Sequence, residues 1–381
     1  MKQFTTQNWN SLTWQQLLWL HTEGEARQGE ADIQRRLRIW LHLNDLELFG
    51  GSYYAVSETD QTPFLERPDL TVDDLSAMMC TLKGSPESSD VSTPVPSDSS
   101  EGSKAPVLIV LFRPRLHSRW QRIRSRFGRR QLPFGCSIEK LYQAVTSQTR
   151  FLDDPLKLTA LPEEYIIIGG TRYKLPEPLL GNLSYEQFNN CQHAMVDFWH
   201  IIDRQSRAHK SSSAGTSASP SASALPSLFC EGLDAPVSRF IAHILTPPSV
   251  RYYDTERGKG RGMEIEYNYD SRRADRIAET ILPLVSPALF PVLYQLFQSS
   301  LSSFSALFPY VFTENSKKGA DVNPLVSELG TLNAVMKYQG YTAQQEVYDT
   351  NALIIFKVID TMTKEAKDME KATKKAKRKG K

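Results

Sequence analysis

The sequence predicts a mainly α (α+β) protein with a helical amino-terminal region, a small α+β middle domain containing a β-hairpin, and a helical carboxy-terminal domain. Three observations predict this class: apolar residues recur at three- and four-residue intervals, capping boxes mark helix starts, and strand patterns are short. The 381 residues are 40% hydrophobic and 23% charged. This length and composition indicate two or three domains and exclude a wholly disordered chain.

Two helices are predicted at the start of the amino-terminal region, residues 1–83. Thr13 and Gln16 form a capping-box pattern, in which each side chain binds an amide at the helix start. A second helix fits residues 31–43, where one face carries Ile33, Leu37, Trp40 and Leu41. The protein is therefore expected to open with a helical pair.

The remainder of this region is predicted from turn and cap residues. Gly50 and Gly51 are expected to end the helical pattern ahead of a short strand at 53–56. Thr71, followed by two aspartates, predicts a helix that ends near Lys83. Residues 84–105 are mostly Ser, Pro, Asp and Glu, a composition typical of a disordered linker.

The middle domain, residues 106–205, combines extended segments with one strong helix. An apolar run at 107–112 predicts a buried strand, and Gly169-Gly170 predicts the turn of a hairpin over 165–175. Ser184 and Gln187 predict a capped helix up to Ile202, whose apolar face holds Phe188, Cys191, Met195, Phe198, Trp199 and Ile202. A Ser-, Ala- and Pro-rich linker follows at 206–227.

The carboxy-terminal domain, residues 228–381, is predicted to be helical. An edge strand is predicted at 264–269, and helices are predicted at 236–245, 271–282, 287–304 and 323–339. Gly340 is the expected stop of the last of these, and Thr342 with Gln345 is expected to cap one final long helix. A basic tail ends the sequence.

Composition and motifs predict no enzyme, no cofactor and no metal site. The four cysteines lack metal-binding or redox spacing, and the phosphate-loop, nucleophile-elbow and zinc-protease motifs are absent from the sequence. His193, Asp197 and His200 share a helix face, which is interpreted as a solvated surface rather than a metal site. The segment Met1–Trp19 lacks the pattern of a secretory signal, so a reducing compartment is expected.

Residues 281–312 contain no charged side chain, so a membrane span has to be considered. Four prolines, several serines and two glutamines in this stretch oppose a span. A buried helix or an oligomer contact is the preferred interpretation, and membrane association is not expected.

The strongest local charge signal is the segment 113–130, which contains no acidic residue. Its eight arginines are Arg113, Arg115, Arg119, Arg122, Arg124, Arg126, Arg129 and Arg130. Such a segment predicts contact with a nucleic-acid backbone or an acidic partner, because guanidinium groups pair well with phosphate and carboxylate. The alternative is a surface helix docked through its own apolar stripe. The lysine-rich tail 371–381 is interpreted mainly as solubilising.

Two segments resemble proteins encoded near the tail genes of tailed phages and prophages. The first runs from Ile168-Gly-Gly-Thr-Arg-Tyr-Lys-Leu-Pro to Leu183-Ser-Tyr-Glu-Gln-Phe. The second runs from Thr331-Leu-Asn-Ala-Val-Met-Lys-Tyr-Gln-Gly-Tyr to Glu346-Val-Tyr-Asp-Thr-Asn. Together they cover about a quarter of the chain. The resemblance implies a tail-assembly or tape-measure chaperone, or a minor tail component.

This resemblance leads to a preferred and an alternative function. The preferred function is non-enzymatic help in tail assembly, by binding a helical phage tail protein in the host cytoplasm or the virion, with homo-oligomers also considered. The expected partner contacts are Tyr338, Tyr341, Val347, Ile354, Ile355, Val358 and Met362. The alternative is a nucleic-acid-binding protein that uses segment 113–130.

Overall fold

The structure is a computed structural model that describes residues 8–27, 29–54, 63–83, 107–114, 134–212, 232–254, 261–312 and 324–379. The chain divides into two compact units, Met1–Asp154 and Pro155–Lys381. The predicted middle domain, 106–205, spans this division, because its first strand pairs with a strand of the amino-terminal region. The predicted linker 84–105 and residues 213–227 of the second linker lie outside the described residues.

Among its described residues, the first unit combines four α-helices with one antiparallel sheet. The helices are α1 (Trp14–Leu20), α2 (Asp32–Leu43), α3 (Val72–Lys83) and α4 (Ile138–Gln148). The strands are β1 (Leu46–Tyr54), β2 (Pro63–Arg67), β3 (Val107–Pro114) and β4 (Phe134–Ser137), in the order β2-β1-β3-β4. The predicted strand at 107–112 is thus confirmed within β3.

One face of this sheet packs against α2, α3 and α4. Leu108, Val110 and Phe112 alternate along β3, so they share a face and enter one core cluster with side chains of these helices. The buried indole of Trp40 donates a hydrogen bond of 2.8 Å to Oε1 of Gln148. This bond satisfies the indole N–H inside the core, where an unpaired donor would be costly.

Local side-chain caps start two of the helices as predicted. The backbone N–H of Thr13 donates to Oε1 of Gln16, and the N–H of Gln16 donates to Oγ1 of Thr13. Thr71 and Asp74 make the same reciprocal pair at the start of α3. The predicted capping box at Thr13 is therefore confirmed, and the predicted helix start at Thr71 is confirmed with a reciprocal pair that the sequence analysis did not specify.

Gly50 and Gly51 lie inside β1, so the predicted short strand at 53–56 is longer on its amino-terminal side. The pairing of β1 with β3 shifts register between Leu48 and Gly50, and Gly50 has φ +137°. A Cβ at Gly50 would lie 3.0 Å from the carbonyl oxygen of Arg67. Glycine at this position therefore permits a bulge within a strand rather than ending an element.

The second unit contains seven helices among its described residues and two β-hairpins. The helices are α5 (Tyr185–Ser212), α6 (Asp234–Ile244), α7 (Ser271–Ile281), α8 (Leu289–Leu307), α9 (Pro324–Gln339), α10 (Gln344–Asp349) and α11 (Ala352–Lys379). The hairpins pair β5 (Tyr165–Ile168) with β6 (Thr171–Lys174), and β7 (Ser249–Asp254) with β8 (Arg261–Glu266). The mainly α (α+β) class is confirmed.

Helix α8 lies in the core of the second unit, as the charge-free stretch 281–312 predicts. Phe290, Phe297 and Phe304 are buried along it and contact aromatic rings of α5, α6 and α11. Its buried Ser299 and Ser300 donate to backbone carbonyls one turn earlier, which satisfies their hydroxyls. In the part of the chain that the structure describes, no helix is long and apolar enough to cross a membrane.

The final long helix predicted after Thr342 is two helices, α10 and α11. Thr342 binds the carboxylate of Glu346 through its backbone N–H and its hydroxyl, rather than pairing with Gln345. The helix then breaks at Thr350 and Asn351, where the carbonyl of Thr350 and the N–H of Ala352 bond to a distant segment on either side of Asn351. The Gly340 stop is confirmed, with φ +76° at that residue.

Candidate functional site

A short antiparallel junction brings together the two segments that carry the phage-tail resemblance. The N–H of Tyr185 donates to the carbonyl oxygen of Thr350 at 2.8 Å, and the N–H of Ala352 donates to that of Leu183 at 2.9 Å. The side-chain amide of Asn351 adds a bond of 2.6 Å to the carbonyl of Gly181. These bonds anchor the start of α5 to the start of α11.

Aromatic side chains pack around this junction. The Tyr185 ring stacks on Tyr348 and meets Phe356 edge-on, with centroid distances of 6.2 and 6.1 Å. Phe188, one turn further along α5, also meets Phe356 edge-on, at 4.9 Å. Tyr185, Phe188 and Phe356 are buried. The first half of α11 is thus fastened to α5 by both backbone pairing and aromatic packing.

Beside the junction, Gln187 connects α5 to the end of α6. Its backbone N–H binds the hydroxyl of Ser184 at 3.2 Å, as the predicted cap requires. Its side-chain amide instead donates to the carbonyl oxygen of His243, at 2.9 Å. The expected capping box is therefore half formed, because the buried Gln187 side chain satisfies an orphan carbonyl at the end of α6.

The buried side chain of His243 lies at the centre of a polar network that reaches the surface at Asp275. Its Nδ1 is 2.7 Å from the hydroxyl of Tyr269, its Nε2 is 3.2 Å from a carboxylate oxygen of Asp275, and Asn190 donates to the same hydroxyl at 2.9 Å. Burial lowers the pKa of His243, opposed by the carboxylate of Asp275 and reinforced by Arg239. Burial raises the pKa of the Tyr269 hydroxyl, because it disfavours the charged form of both side chains.

A neutral imidazole with its proton on Nε2 satisfies every bond in this network. The Nε2–H donates to Asp275, Nδ1 accepts from the hydroxyl of Tyr269, and that hydroxyl oxygen accepts from Asn190. The histidine and the tyrosine are thus engaged with one another and with their neighbours. The arrangement connects α5, α6 and α7, and it is best explained as a structural tie.

Within the described ranges, the other titratable groups singled out in the sequence form no metal or thiolate site. Among the described residues, no group of three or more His, Cys, Asp or Glu side chains could hold a metal ion. Asp197 pairs instead with Arg239 at 2.7 Å. Burial raises the pKa of the Cys191 thiol well above its usual value and that of Cys136 to about 11. Neither cysteine is therefore an activated nucleophile.

A cavity of about 460 Å³ in the first unit is lined by Arg27, Glu30, Arg38 and Asp73, among others. The guanidinium of Arg38 binds both carboxylate oxygens of Glu30, at 2.9 and 2.8 Å. Asp73 accepts a hydrogen bond from Gln34. Because these groups already bind one another, the cavity is interpreted as a gap beside a structural ion pair.

The expected partner contacts divide into buried and accessible side chains. Val347, Ile355 and Val358 are buried in the core of the second unit, so they are not on its surface. Tyr341 and Met362 are half-buried. Tyr338 and Ile354 are exposed, by 45% and 54%, as partner contacts require. Trp199, which the sequence places on the apolar face of α5, is also 44% exposed.

A seam of uncharged residues runs along α11 and leaves the core partway. Its members recur every three or four residues and are Ile355, Ile359, Met362, Ala366, Met369, Thr373 and Ala376. The first is fully buried, the next two are half-buried, and all later members are exposed, with Met369 at 66%. From Lys364 to Ala376 every residue except Lys367 is exposed. The seam has the spacing of a helix-pairing face.

This seam was missed in the sequence because Ala and Thr carry little hydrophobic signal among the lysines. The spacing of three and four residues between uncharged positions was the signal that could have found it. For segment 113–130, the structure does not describe the predicted basic surface. Arg113 lies near the end of β3 opposite Glu47, and the seven other arginines lie outside the described residues.

Comparison with known proteins adds no assignment to these features. No protein-family profile matches this chain, and neither a curated protein nor a solved structure matches it significantly.

Proposed function

We propose that this protein is a non-enzymatic assembly factor that binds an α-helical partner along the exposed part of the α11 seam. The observation that carries the proposal is the change in burial along one seam, from the fully buried Ile355 to Met369 at 66% exposure. The core covers only the first half of a helix-pairing face. A second helix laid along residues 366–376 would cover the remainder by knobs-into-holes packing.

The resemblance to tail-region proteins supports a phage or prophage tail protein as this partner. Its two segments meet at the junction of Leu183 and Tyr185 with Thr350 and Ala352, so they form one structural feature. That junction holds the start of α11 and thereby positions the seam. We propose that the partner is a long helical tail protein whose apolar face needs cover until assembly.

Co-expression with a helical tail protein from the same phage or prophage, followed by a pull-down and a measured Kd, tests the proposal. Met369→Lys is expected to weaken binding about tenfold or more, because a charge enters the centre of the seam. The matched control, Thr361→Lys, adds the same charge at an exposed position away from the seam. It is expected to leave the Kd unchanged.

Two results would overturn the proposal. One is a tail partner that is never retained by the wild-type protein. The other is a partner that binds Met369→Lys as tightly as it binds wild type. Mass spectrometry of finished particles would then distinguish an assembly factor, which is absent from them, from a minor tail component, which is retained.

A further inference from the structure

The outer face of the same exposed helix, opposite the seam, is strongly basic. At 100° per residue, Lys364, Lys371, Lys374 and Lys375 fall within one face, and all four are exposed. Asp368 is the acidic residue at its margin. The apolar seam and the basic face are therefore separate surfaces of one helix, and they can be tested independently.

The charge of this segment contrasts with that of the remaining chain. Residues 371–381 hold seven of the 45 lysines and arginines and none of the 43 acidic residues. The other 370 residues therefore hold 38 basic residues against 43 acidic ones, a net charge of −5. The overall charge of +2 hides this separation. A polyanion would be attracted to the end of α11, whereas the net charge of the other 370 residues would repel it.

Ion pairing within the helix leaves this face available. Lys371 contacts Asp368 at 3.4 Å and Lys374 contacts Glu370 at 2.5 Å, with all four side chains at least 59% exposed. Such exposed pairs are weak, because water screens them and each side chain loses freedom in forming them. A phosphate can therefore replace either carboxylate at little cost.

We infer that the basic face of α11 binds the phosphate backbone of a nucleic acid without reading its sequence. Ammonium groups on flexible stems neutralise phosphates without the buried anchors that a protein interface needs, and lysine is depleted in such interfaces. The basic face also lacks the bulky apolar side chains with which amphipathic helices enter a membrane surface. Among the side chains that the structure describes on this face, the basic ones are all lysines, which present no planar fork for reading base edges and so favour backbone contact.

Equilibrium binding of the full-length protein to a fluorescent 20-base-pair duplex, measured between 50 and 300 mM salt, tests this inference. The key variant is Lys371→Gln/Lys374→Gln/Lys375→Gln, since glutamine keeps the helix propensity of lysine. It is expected to bind about tenfold or more weakly and to lower the salt slope by about 2.7, at about 0.9 per phosphate lost.

Two controls separate this face from other basic residues. Lys140→Gln/Arg150→Gln/Lys157→Gln removes the same charge from exposed positions outside α11 and is expected to keep the wild-type slope. Arg119→Gln/Arg122→Gln/Arg126→Gln removes charge from the other basic segment, 113–130. It is expected to keep the part of the salt slope that α11 contributes. A loss of slope confined to this arginine variant would overturn the inference.

Competition identifies the class of ligand. Poly-glutamate at equal charge is expected to displace the duplex poorly, and vesicles containing about 30% phosphatidylserine are expected not to retain the protein. Displacement by poly-glutamate as efficient as by unlabelled duplex, or binding to vesicles without binding to duplex, would overturn the inference. Met369→Lys changes the seam but leaves the basic face intact, so it is expected to bind the duplex as wild type does. Its duplex binding therefore tests this inference separately from the proposed assembly function.

Discussion

The hydroxyl of Tyr269 lies 2.7 Å from Nδ1 of the buried His243, within a network that also includes Asn190 and the exposed carboxylate of Asp275. This pair joins the segment before α7 to the end of α6. Removing the hydroxyl leaves both the imidazole and the Asn190 amide without a partner that they have in the folded protein. Buried groups that lose a hydrogen-bond partner carry most of their desolvation penalty.

Tyr269→Phe is expected to lower the free energy of unfolding by about 1–3 kcal/mol, the cost of unsatisfied buried polar groups. Urea denaturation followed by circular dichroism measures this change. Tyr267→Phe, two residues away on the same segment, is the control and is expected to change stability by less than about 0.5 kcal/mol. Equal losses in the two variants would contradict a special role for the Tyr269 hydroxyl.

The stability of the protein is expected to fall as the pH is lowered from about 7.5 to 5.5, through the ordinary titration range of histidine. Burial lowers the pKa of His243 in the folded state, so the unfolded chain binds a proton at a higher pH than the folded one does. Protonation therefore favours unfolding. Urea denaturation at several pH values measures the slope.

His243→Gln is expected to flatten this pH dependence, since glutamine does not titrate. His200→Gln, on the exposed side of α5, is the control and is expected to keep the wild-type slope. A slope that is the same in all three proteins would assign the pH dependence to other groups.

Arg38→Ala is expected to lower the free energy of unfolding by about 3 kcal/mol, because it leaves a buried carboxylate without its bidentate partner. The Glu30 side chain is 5% exposed, and hydrogen bonding by Arg38 lowers the pKa of its carboxyl. The stability from this carboxylate is present above its unfolded pKa, near 4.5, and is lost as the pH falls through its folded pKa.

Thermal unfolding at neutral pH measures the loss in Arg38→Ala. Arg27→Ala is the control, because its exposed pair with Glu23 spans 3.9 Å and contributes little. A double variant, Arg38→Met/Glu30→Leu, is expected to recover part of the stability, since it removes both charges. Failure of this recovery would show that Arg38 acts mainly through its bonds to the neighbouring backbone carbonyls.

Two glycines near the end of α9 are expected to respond oppositely to alanine. Gly340→Ala places a Cβ at φ +76° and is expected to cost about 1–2 kcal/mol, the penalty of the left-handed conformation. Gly330→Ala lies within α9, where no atom is within 4 Å of the added Cβ, and is expected to gain about 1 kcal/mol. Chemical denaturation of both variants measures these changes, and effects of the same sign would contradict the assignment.

Signals that act within a few residues predicted much of this fold. The capping box at Thr13, the helix start at Thr71, the Gly169-Gly170 turn and the Gly340 stop each depend on neighbours in the chain. Each is present as expected. The mainly helical class and the buried charge-free helix α8 followed from periodicity. These features could be read from the sequence because their causes are local.

The features that sequence reasoning missed depend on distant partners. The break between α10 and α11 arises because Thr350 and Ala352 pair with residues of another segment. Gln187 leaves its cap for the end of α6, about 56 positions away. The exposed part of the α11 seam was missed for the same reason. The residue at which the seam leaves the core depends on tertiary packing, which the local sequence does not show.

The junction between Leu183 and Ala352 also constrains when the second unit can fold during synthesis. Its backbone bonds and the Asn351 contact with Gly181, 170 positions apart, cannot form until the ribosome has released residue 352. Closing so long a loop costs conformational entropy, and only the long-range contacts themselves offset that cost once they form. The aromatic side chains Phe188 and Phe304, which meet Phe356, therefore stay uncovered until the carboxy-terminal segment has been made.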